Sequence, residues 1–575
     1  MTADVIDVAR SLVAAILPPR YERPADWASR NIIFNSPRDP IHGPLDFTLS
    51  PFLVDPINAW ETVPGQGLKE VTLCAPEQMG KTMVELSGLC WRMTFFPGLS
   101  LVTYTSDDKA ARVNEEKFEP ILGNIPRFSK QLEEPLSRTK DCYRLGENLV
   151  YFGGVGSRVS SHSAGTCIID ECDDYQNPPG VDAINDTRKR SRAFRNAVLY
   201  KACTVKGSKG ESRIWREFLS SSQGYWYLRC LGCGELTIRS CDLRHLQFDR
   251  TEDGDVIPAS LRVVCPACGH RHIEDDKLAM NLQGEYIHKK PERLAYHAGF
   301  QFGALAAQVV NLGWIQLARW QAAAGSSGKL EDQIFFDNSV RGLPFEVRRI
   351  QEDGSKALRR HSAPLPDPEK IRFRFLSADT QDSGWFWVVR GLDAAENTYL
   401  LGCGKAENLG ELGRVWESDW HGGKISCGII DEGGHRAQEV RYFIKPRPGL
   451  FAYKGNPRIG KKWSESKEIS RLLLGNPRHY HMMTLYAIYG TGKPGSHYWY
   501  LPEQIAPDYA EQICSWRANK SVRNGDRLEN YHCPTGNDHF FDCEKMMILL
   551  KDYFCEKILP ELVARKSAGR KIVRV

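Results

Sequence analysis

Ala75-Pro-Glu-Gln-Met-Gly80-Lys81-Thr82 separates the apolar run Lys69-Glu-Val-Thr-Leu-Cys-Ala75 from a stretch with helical spacing over 81–95. A strand, a loop closing on Gly-Lys-Thr and a helix together aim backbone N–H groups at a phosphate. In such a loop Lys81 would neutralise the outer phosphates of ATP and the Thr82 hydroxyl would hold Mg2+. Gln78 and Gly80 fall inside the same cradle. The first glycine of the general pattern is replaced by Ala75, while Gly80-Lys81-Thr82 is intact.

Working outward, Leu99–Thr105 reads as a second strand and Thr166-Cys-Ile-Ile-Asp170 as a third, so 68–220 alternates strand and helix. That alternation predicts a parallel sheet covered on both faces. The third strand ends in Asp170-Glu171, about 90 residues after the loop. There Asp170 would reach Mg2+ through water and Glu171 would polarise the attacking water. A phosphate loop and an acidic strand end, in that order, predict ATP hydrolysis. Arg158, in Gly153-Gly-Val-Gly-Ser-Arg158, is a candidate for stabilising transition-state charge and equally a surface or DNA-contacting arginine. Lys201-Ala-Cys-Thr204, placed after the next strand, is a candidate phosphate-sensing segment.

Between 225 and 275 the texture changes to short β-like pieces carrying Cys230-Leu-Gly-Cys233 and Cys265-Pro-Ala-Cys268, each followed by glycine. Two such turns close a tetrahedral zinc site, and four thiolates leave no open position, so the role would be structural. The 31 residues between the pairs exceed the common spacing, which a hairpin insertion would explain. His270 and His272 lie nearby and are not needed for that site. The other cysteines of the seventeen are mostly scattered singly in apolar runs, as expected for buried free thiols in a reducing compartment.

Residues 351–370 are polar and Pro-containing and read as a linker. A new α/β pattern follows, with strands over 371–378, 384–391, 398–404 and 425–431. Asp379 follows the first of these strands, Asp431 ends the last, and Asp542 lies where an apolar helix begins. Singly, each is an ordinary strand-end or cap acid. Together they could hold a pair of divalent metal ions for phosphodiester cleavage.

At 575 residues the chain is too long for one core, and three or four structural units are expected. No apolar run reaches membrane-spanning length, and residues 1–20 lack the marks of a signal peptide and read as a leading amphipathic helix. The net charge of +5 is weak guidance. Local basic clusters at 188–190, 461–462 and in the tail 565–574 are each read as solvated surface when taken alone.

The motifs at 75–82, 168–173, 429–440 and 531–544, with Gly210-Glu-Ser-Arg-Ile214 leading into Cys230-Leu-Gly-Cys233-Gly234, resemble the large terminase subunits of tailed double-stranded DNA phages, lambda-type branch. The likeness runs from about Tyr21 to Leu550. It implies an α/β chain: an N-terminal helical segment (1–45), a P-loop ATPase domain (46–350) with a zinc-ribbon-like insertion (225–275), a linker (351–370), a ribonuclease-H-like nuclease domain (371–560) and a basic tail (561–575). By position it assigns Lys81 and Thr82 to ATP and Mg2+, Asp170 to the same metal and Glu171 to catalysis. It makes Asp379, Asp431 and Asp542 the nuclease ligands for Mg2+ or Mn2+. The activity implied is ATP-driven translocation of double-stranded DNA into a procapsid with cutting of concatemers. Implied partners are the portal protein, a small terminase subunit and further copies in a ring, in the host cytoplasm and with no membrane. The alternatives are a helicase or translocase with a non-cleaving C-terminal DNA-binding module, and an assembly protein that binds zinc and DNA but no nucleotide.

Overall fold

A computed structural model of the chain describes residues 20–562 apart from 36–41, 64, 66, 135–136, 140, 156–161, 176–181, 210–211, 309–311, 327–329, 346–353, 458, 460, 490–497 and 524–525. The N-terminal helix, Arg158 and the basic tail expected from the sequence lie outside the described residues. The chain divides into two units, residues 1–322 with 333–345, and 323–332 with 346–575. This is fewer than the length suggested, because the cysteine-bearing region shares its first strand with the sheet before it.

The first unit is built on β1 (Lys69–Cys74), α1 (Lys81–Phe95), β2 (Leu99–Tyr104), α2 (Asp107–Val113), β3 (Cys142–Leu145), β4 (Asn148–Gly154), β5 (Thr166–Asp170), α3 (Ala183–Arg190), β6 (Val198–Cys203), α4 (Arg213–Ser220) and β7 (Gly224–Leu228). Then come β8 (Ile238–Arg239), β9 (Leu246–Gln247), β10 (Arg262–Val264), β11 (Arg271–His272), β12 (Glu285–His288) and β13 (His297–Gln301). The main sheet runs β8-β7-β13-β1-β6-β5-β2-β4-β3, with β12 also on β7. From β7 to β4 every neighbouring pair is parallel. Strands β5 and β6 are buried along their whole length, which is why they read as continuous apolar runs rather than alternating ones. Strand β7, Gly-Tyr-Trp-Tyr-Leu, belongs to this sheet, so 225–275 is not a separate insertion from its first residue. Only β9-β10-β11 form a small antiparallel sheet of their own.

The second unit contains β14 (Phe373–Gln381), β15 (Gly384–Leu392), β16 (Thr398–Ala406), α5 (Leu409–Glu417), β17 (Cys427–Asp431), α6 (Ala437–Ile444), β18 (Leu450–Gly455), β19 (Trp463–Glu465), β20 (Leu472–Gly475), α7 (Pro477–Tyr489), β21 (Trp499–Tyr500) and α8 (His539–Tyr553). Its sheet order is β19-β20-β18-β17-β14-β15-β16-β21. Strands β14, β15 and β16 are antiparallel neighbours, while β17, β18 and β20 add in parallel beside β14. The stretch expected as a linker instead carries a helix, Gly354–Arg359, with Ala357 and His361 buried and the His361 ring 2.9 Å from the Ile488 carbonyl. Its Lys356-Ala-Leu-Arg-Arg360 run supplies apolar anchors to the second unit, and the proline-rich part begins only after it.

Candidate functional sites

The loop between β1 and α1 needs left-handed backbone. Gln78 has φ +55° and Gly80 φ +87°, and a Cβ on Gly80 would lie 2.8 Å from a Leu53 methyl. Lys81 opens α1 with its ammonium folded back over the loop, donating to the Pro76 carbonyl at 2.7 Å and to Thr204 Oγ1 at 2.7 Å. Burial lowers its pKa, opposed first by Asp170. Strand β6 lies between β1 and β5, so Thr204, one residue past β6, faces the loop from between Lys81 and Asp170. The segment 201–204 is therefore not a loop after the strand: Lys201 to Cys203 are strand, and Thr204 alone meets Lys81. Buried Lys201 is held by Glu70 and Glu217, with Glu217 Oε2 at 2.8 Å.

Asp170 ends β5 almost fully buried, and burial followed by the Glu171 charge raises its pKa to about 6. Glu171 takes a left-handed turn (φ +55°) and pairs with Lys109 of α2. Glu85, one turn beyond Lys81, is also fully buried. Burial first and Asp170 second push its carboxyl well above the usual range. Neither Lys109 nor Glu85 was picked out from the sequence: Lys109 reaches Glu171 because β2 lies beside β5, and Glu85 sits one helical turn past Lys81. Of the basic cluster at 188–190, Arg188 is turned inward to Glu70 at 2.8 Å and to Glu217, and Lys189 pairs with Asp186. Lys462 is likewise paired with Asp552 and Glu556.

In the four-cysteine site the thiols are unpaired as disulfides and their sulfurs lie within 4.8 Å of one another. Cys230 and Cys268 are 3.7 Å apart, Cys233 and Cys265 3.9 Å. A tetrahedron with metal–sulfur bonds near 2.3 Å has an edge of about 3.8 Å, so the donor set fits zinc. Each Cys-x-x-Cys turn closes with a glycine at φ +75°, Gly234 and Gly269, whose N–H returns to the first cysteine's carbonyl at 2.8 and 3.0 Å. Burial disfavours the Cys265 thiolate, but hydrogen bonds from Thr237 and from the Cys268 and Ala267 N–H groups prevail and bring its pKa to about 6.

In the second unit, Asp379 near the end of β14 and Asp431 at the end of β17 are adjacent because Ala378 and Ile430 are in register. Asp542 comes from the first turn of α8. Burial first, then Asp379, with Asp542 adding, raises the Asp431 pKa to about 7. Each acid has its own partner. Asp379 accepts from Gln381 at 2.7 Å and meets His539 Nδ1 at 3.1 Å, Asp431 accepts from the Gly433 N–H at 3.1 Å, and Asp542 pairs with Lys545 at 2.5 Å. Among the described residues the oxygens of these three acids do not all approach within 4.8 Å of one another. They form an electrostatic cluster of hard oxygen donors, which suits Mg2+ or Mn2+. Lys545 and His539 escaped the sequence reading. The available sign was the helical spacing from Asp542 to Lys545, which places both on one face.

Helix α8 is fixed from its other side. Glu544 takes the Arg390 Nε–H at 2.8 Å, the Trp499 indole at 2.9 Å and the Tyr509 hydroxyl at 2.7 Å, with both charges buried.

A parallel-sheet unit with a loop shaped for phosphate, followed in the chain by a mixed sheet with a carboxylate cluster, fits the class of ATPases that carry a nuclease domain. Residues 40–286 match the family model described as phage terminase large subunit gpA, ATPase domain, and residues 297–556 match terminase large subunit gpA, endonuclease domain. The chain belongs to the large terminase subunits of tailed phages, and it is an ATPase and a DNA endonuclease of the genome-packaging machinery. Among solved structures it is similar to the large terminase of a thermophilic bacteriophage, with 11% identity, 87% of this chain and 98% of that one covered, and a TM-score of 0.40. For the HK97 bacteriophage large terminase the figures are 12%, 91%, 98% and 0.34. For the ATPase domain of the Thermus phage P74-26 large terminase they are 12%, 53%, 95% and 0.26. No curated protein matches the chain. Among the described residues no helix is long and apolar enough to cross a membrane.

Proposed function

We propose that Lys81, Thr82, Asp170 and Glu171 form the ATP-hydrolysing centre, with Gln78 and Gly80 shaping the phosphate cradle. The supporting observation is the single hydrogen bond from Lys81 Nζ to Thr204 Oγ1, which ties the phosphate loop to the strand beside Asp170. Thr204 then senses whether the Lys81 ammonium is engaged by a phosphate. Glu171, held by Lys109, orients the attacking water. Thr82 and Asp170 would hold Mg2+, which when bound would supply charge neutralisation at the transferred phosphate. Lys81→Ala should abolish DNA-stimulated ATP turnover; unchanged turnover would remove this assignment.

For cleavage, Asp379, Asp431 and Asp542 are the metal-holding acids. Mg2+ or Mn2+ held by these three acids would supply water activation and charge stabilisation at the leaving oxygen. Lys545 restrains Asp542 and His539 restrains Asp379, so each ligand is aimed by a neighbour. Linearisation of plasmid DNA with Mn2+ by the wild type and its loss in Asp379→Ala tests this reading, and a variant that still cuts would refute it. Cys230, Cys233, Cys265 and Cys268 hold a structural zinc ion. The finer picture is a ring of copies docked on the portal of a procapsid in the host cytoplasm, handed DNA by a small terminase subunit. ATPase measured with DNA, with and without procapsids, tests it: a motor of this kind responds to both.

A further inference from the structure

Beside the four sulfurs lies a second donor set that they do not use. His270, His272 and Asp276 offer ligand atoms that lie within 4.8 Å of one another. His272, on β11, is fully buried, with Nε2 3.4 Å from Cys230 Sγ. Its other nitrogen, Nδ1, is buried with no hydrogen-bond partner and stands 3.7 Å from Asp276 Oδ2. Nδ1 and Asp276 Oδ2 face each other, the same oxygen also accepting the Ile273 N–H at 3.0 Å. Their separation is too long for a hydrogen bond but suits two ligands of one ion, since bonds of about 2.1 Å give a tetrahedral edge of about 3.4 Å.

The third donor is in place. The His270 ring lies 4.6 Å from that of His272, centroid to centroid. It packs over the first cysteine turn, where a Cβ on Gly232 would come within 2.7 Å of it. His270 is exposed, which leaves the fourth position to water. Two imidazoles, a carboxylate and an open position suit zinc or a similar borderline divalent ion.

We propose that His270, His272 and Asp276 form a second, three-ligand zinc site adjoining the four-thiolate one, with Cys230 and His272 in contact across the two. The second ion would tie β11 to the turn at Glu274–Asp276 that leads into the next helix, stiffening the module from its open side.

The test is a Co2+ titration of the metal-free, untagged full-length chain beside His270→Ala and Asp276→Asn. Asn keeps an oxygen for the Ile273 N–H, which Asp276 accepts at 3.0 Å. Thiolate-to-cobalt charge-transfer absorption counts the four-cysteine site, and the difference in total bound cobalt between wild type and variant counts the second, because the Asp379, Asp431 and Asp542 cluster contributes equally to all three proteins. The expected result is one Co2+ fewer in each variant than in wild type, with the charge-transfer band unchanged. The intact band also shows that the module is folded. Equal cobalt counts in wild type and both variants would overturn the second site while leaving the thiolate site standing. A lost equivalent with no thiolate band in any protein would support the second site and overturn the four-thiolate reading instead.

Discussion

Replacing Asp431 by Asn should stabilise the metal-free protein at pH 8, although the residue belongs to the cleavage centre. Burial, then the neighbouring Asp379 charge, with Asp542 adding, raises its pKa from 3.8 to about 7. The fold therefore prefers the protonated acid. As pH rises above 4 the unfolded chain releases this proton first, so stability falls between about pH 4 and 7 and stays low above 7. Three pKa units correspond to an upper bound of about 4 kcal/mol, and screening at a partly exposed group leaves on the order of 2–4 kcal/mol. Asn removes that charge and keeps an oxygen for the Gly433 N–H. At about 2–4 °C per kcal/mol for a domain of this size, the unit's melting temperature at pH 8 in chelator should rise by roughly 4–16 °C. At pH 4.5 the two proteins should melt within a degree or two. Added Mn2+ should stabilise wild type and leave Asp431→Asn unchanged. If the variant melts at or below wild type at pH 8 in chelator, the three acids are not one electrostatic cluster and the metal-site reading loses its physical basis.

Other outcomes follow from particular contacts. Thr204→Val removes the acceptor for Lys81 and should lower steady-state ATP turnover about tenfold, the worth of a hydrogen bond to a charged group; undiminished turnover would show that Thr204 is a spectator. Gly88→Ala sets a Cβ within 1.9 Å of the Trp60 indole. It should cost about 1–3 kcal/mol by denaturant titration, with partial recovery when Trp60→Leu is added. Arg390→Met strands the buried Glu544 charge and should cost about 3–5 kcal/mol, whereas Arg390→Met with Glu544→Leu should cost much less; equal losses would contradict a charge penalty. Cys233→Ser should remove at least the four-thiolate site's zinc ion from each chain, measured by elemental analysis, and expose the 230–272 region to protease.

What could be read from the sequence was whatever is local in it. Strand β5 and helix α1 fall where apolar runs and the Gly-Lys-Thr signal place them, because burial on both faces and a phosphate loop leave contiguous signatures. Asp170 and Asp431 were visible as acids ending such runs. Thr204 and Lys109 were not singled out for the contacts they make, because those contacts depend on β6 lying beside β1 and on β5 lying between β6 and β2, a matter of strand order and not of any one segment. The helix at 354–359 was lost for a different reason: six residues with two apolar anchors look like polar connection until the unit they pack against is known. Likewise β7 read as part of an insertion because aromatic strands and cysteine turns adjoin without a break.

Asp542 and Glu544 sit two residues apart on α8, about 200° around the helix, and their fates are opposite: one joins the Asp379 and Asp431 cluster, the other the core. The core acid indexes the helix. A slip of one residue in one direction would bring the Lys545 ammonium against the Arg390 guanidinium; a slip in the other would offer it Cys543, which cannot answer a charge. Both errors are penalised by electrostatics rather than by shape, so the angular setting of Asp542 is held by a pair that never touches it. Mutational drift on the apolar faces of α8 can be absorbed by repacking, while the bearing of Asp542 stays locked to one rotational position.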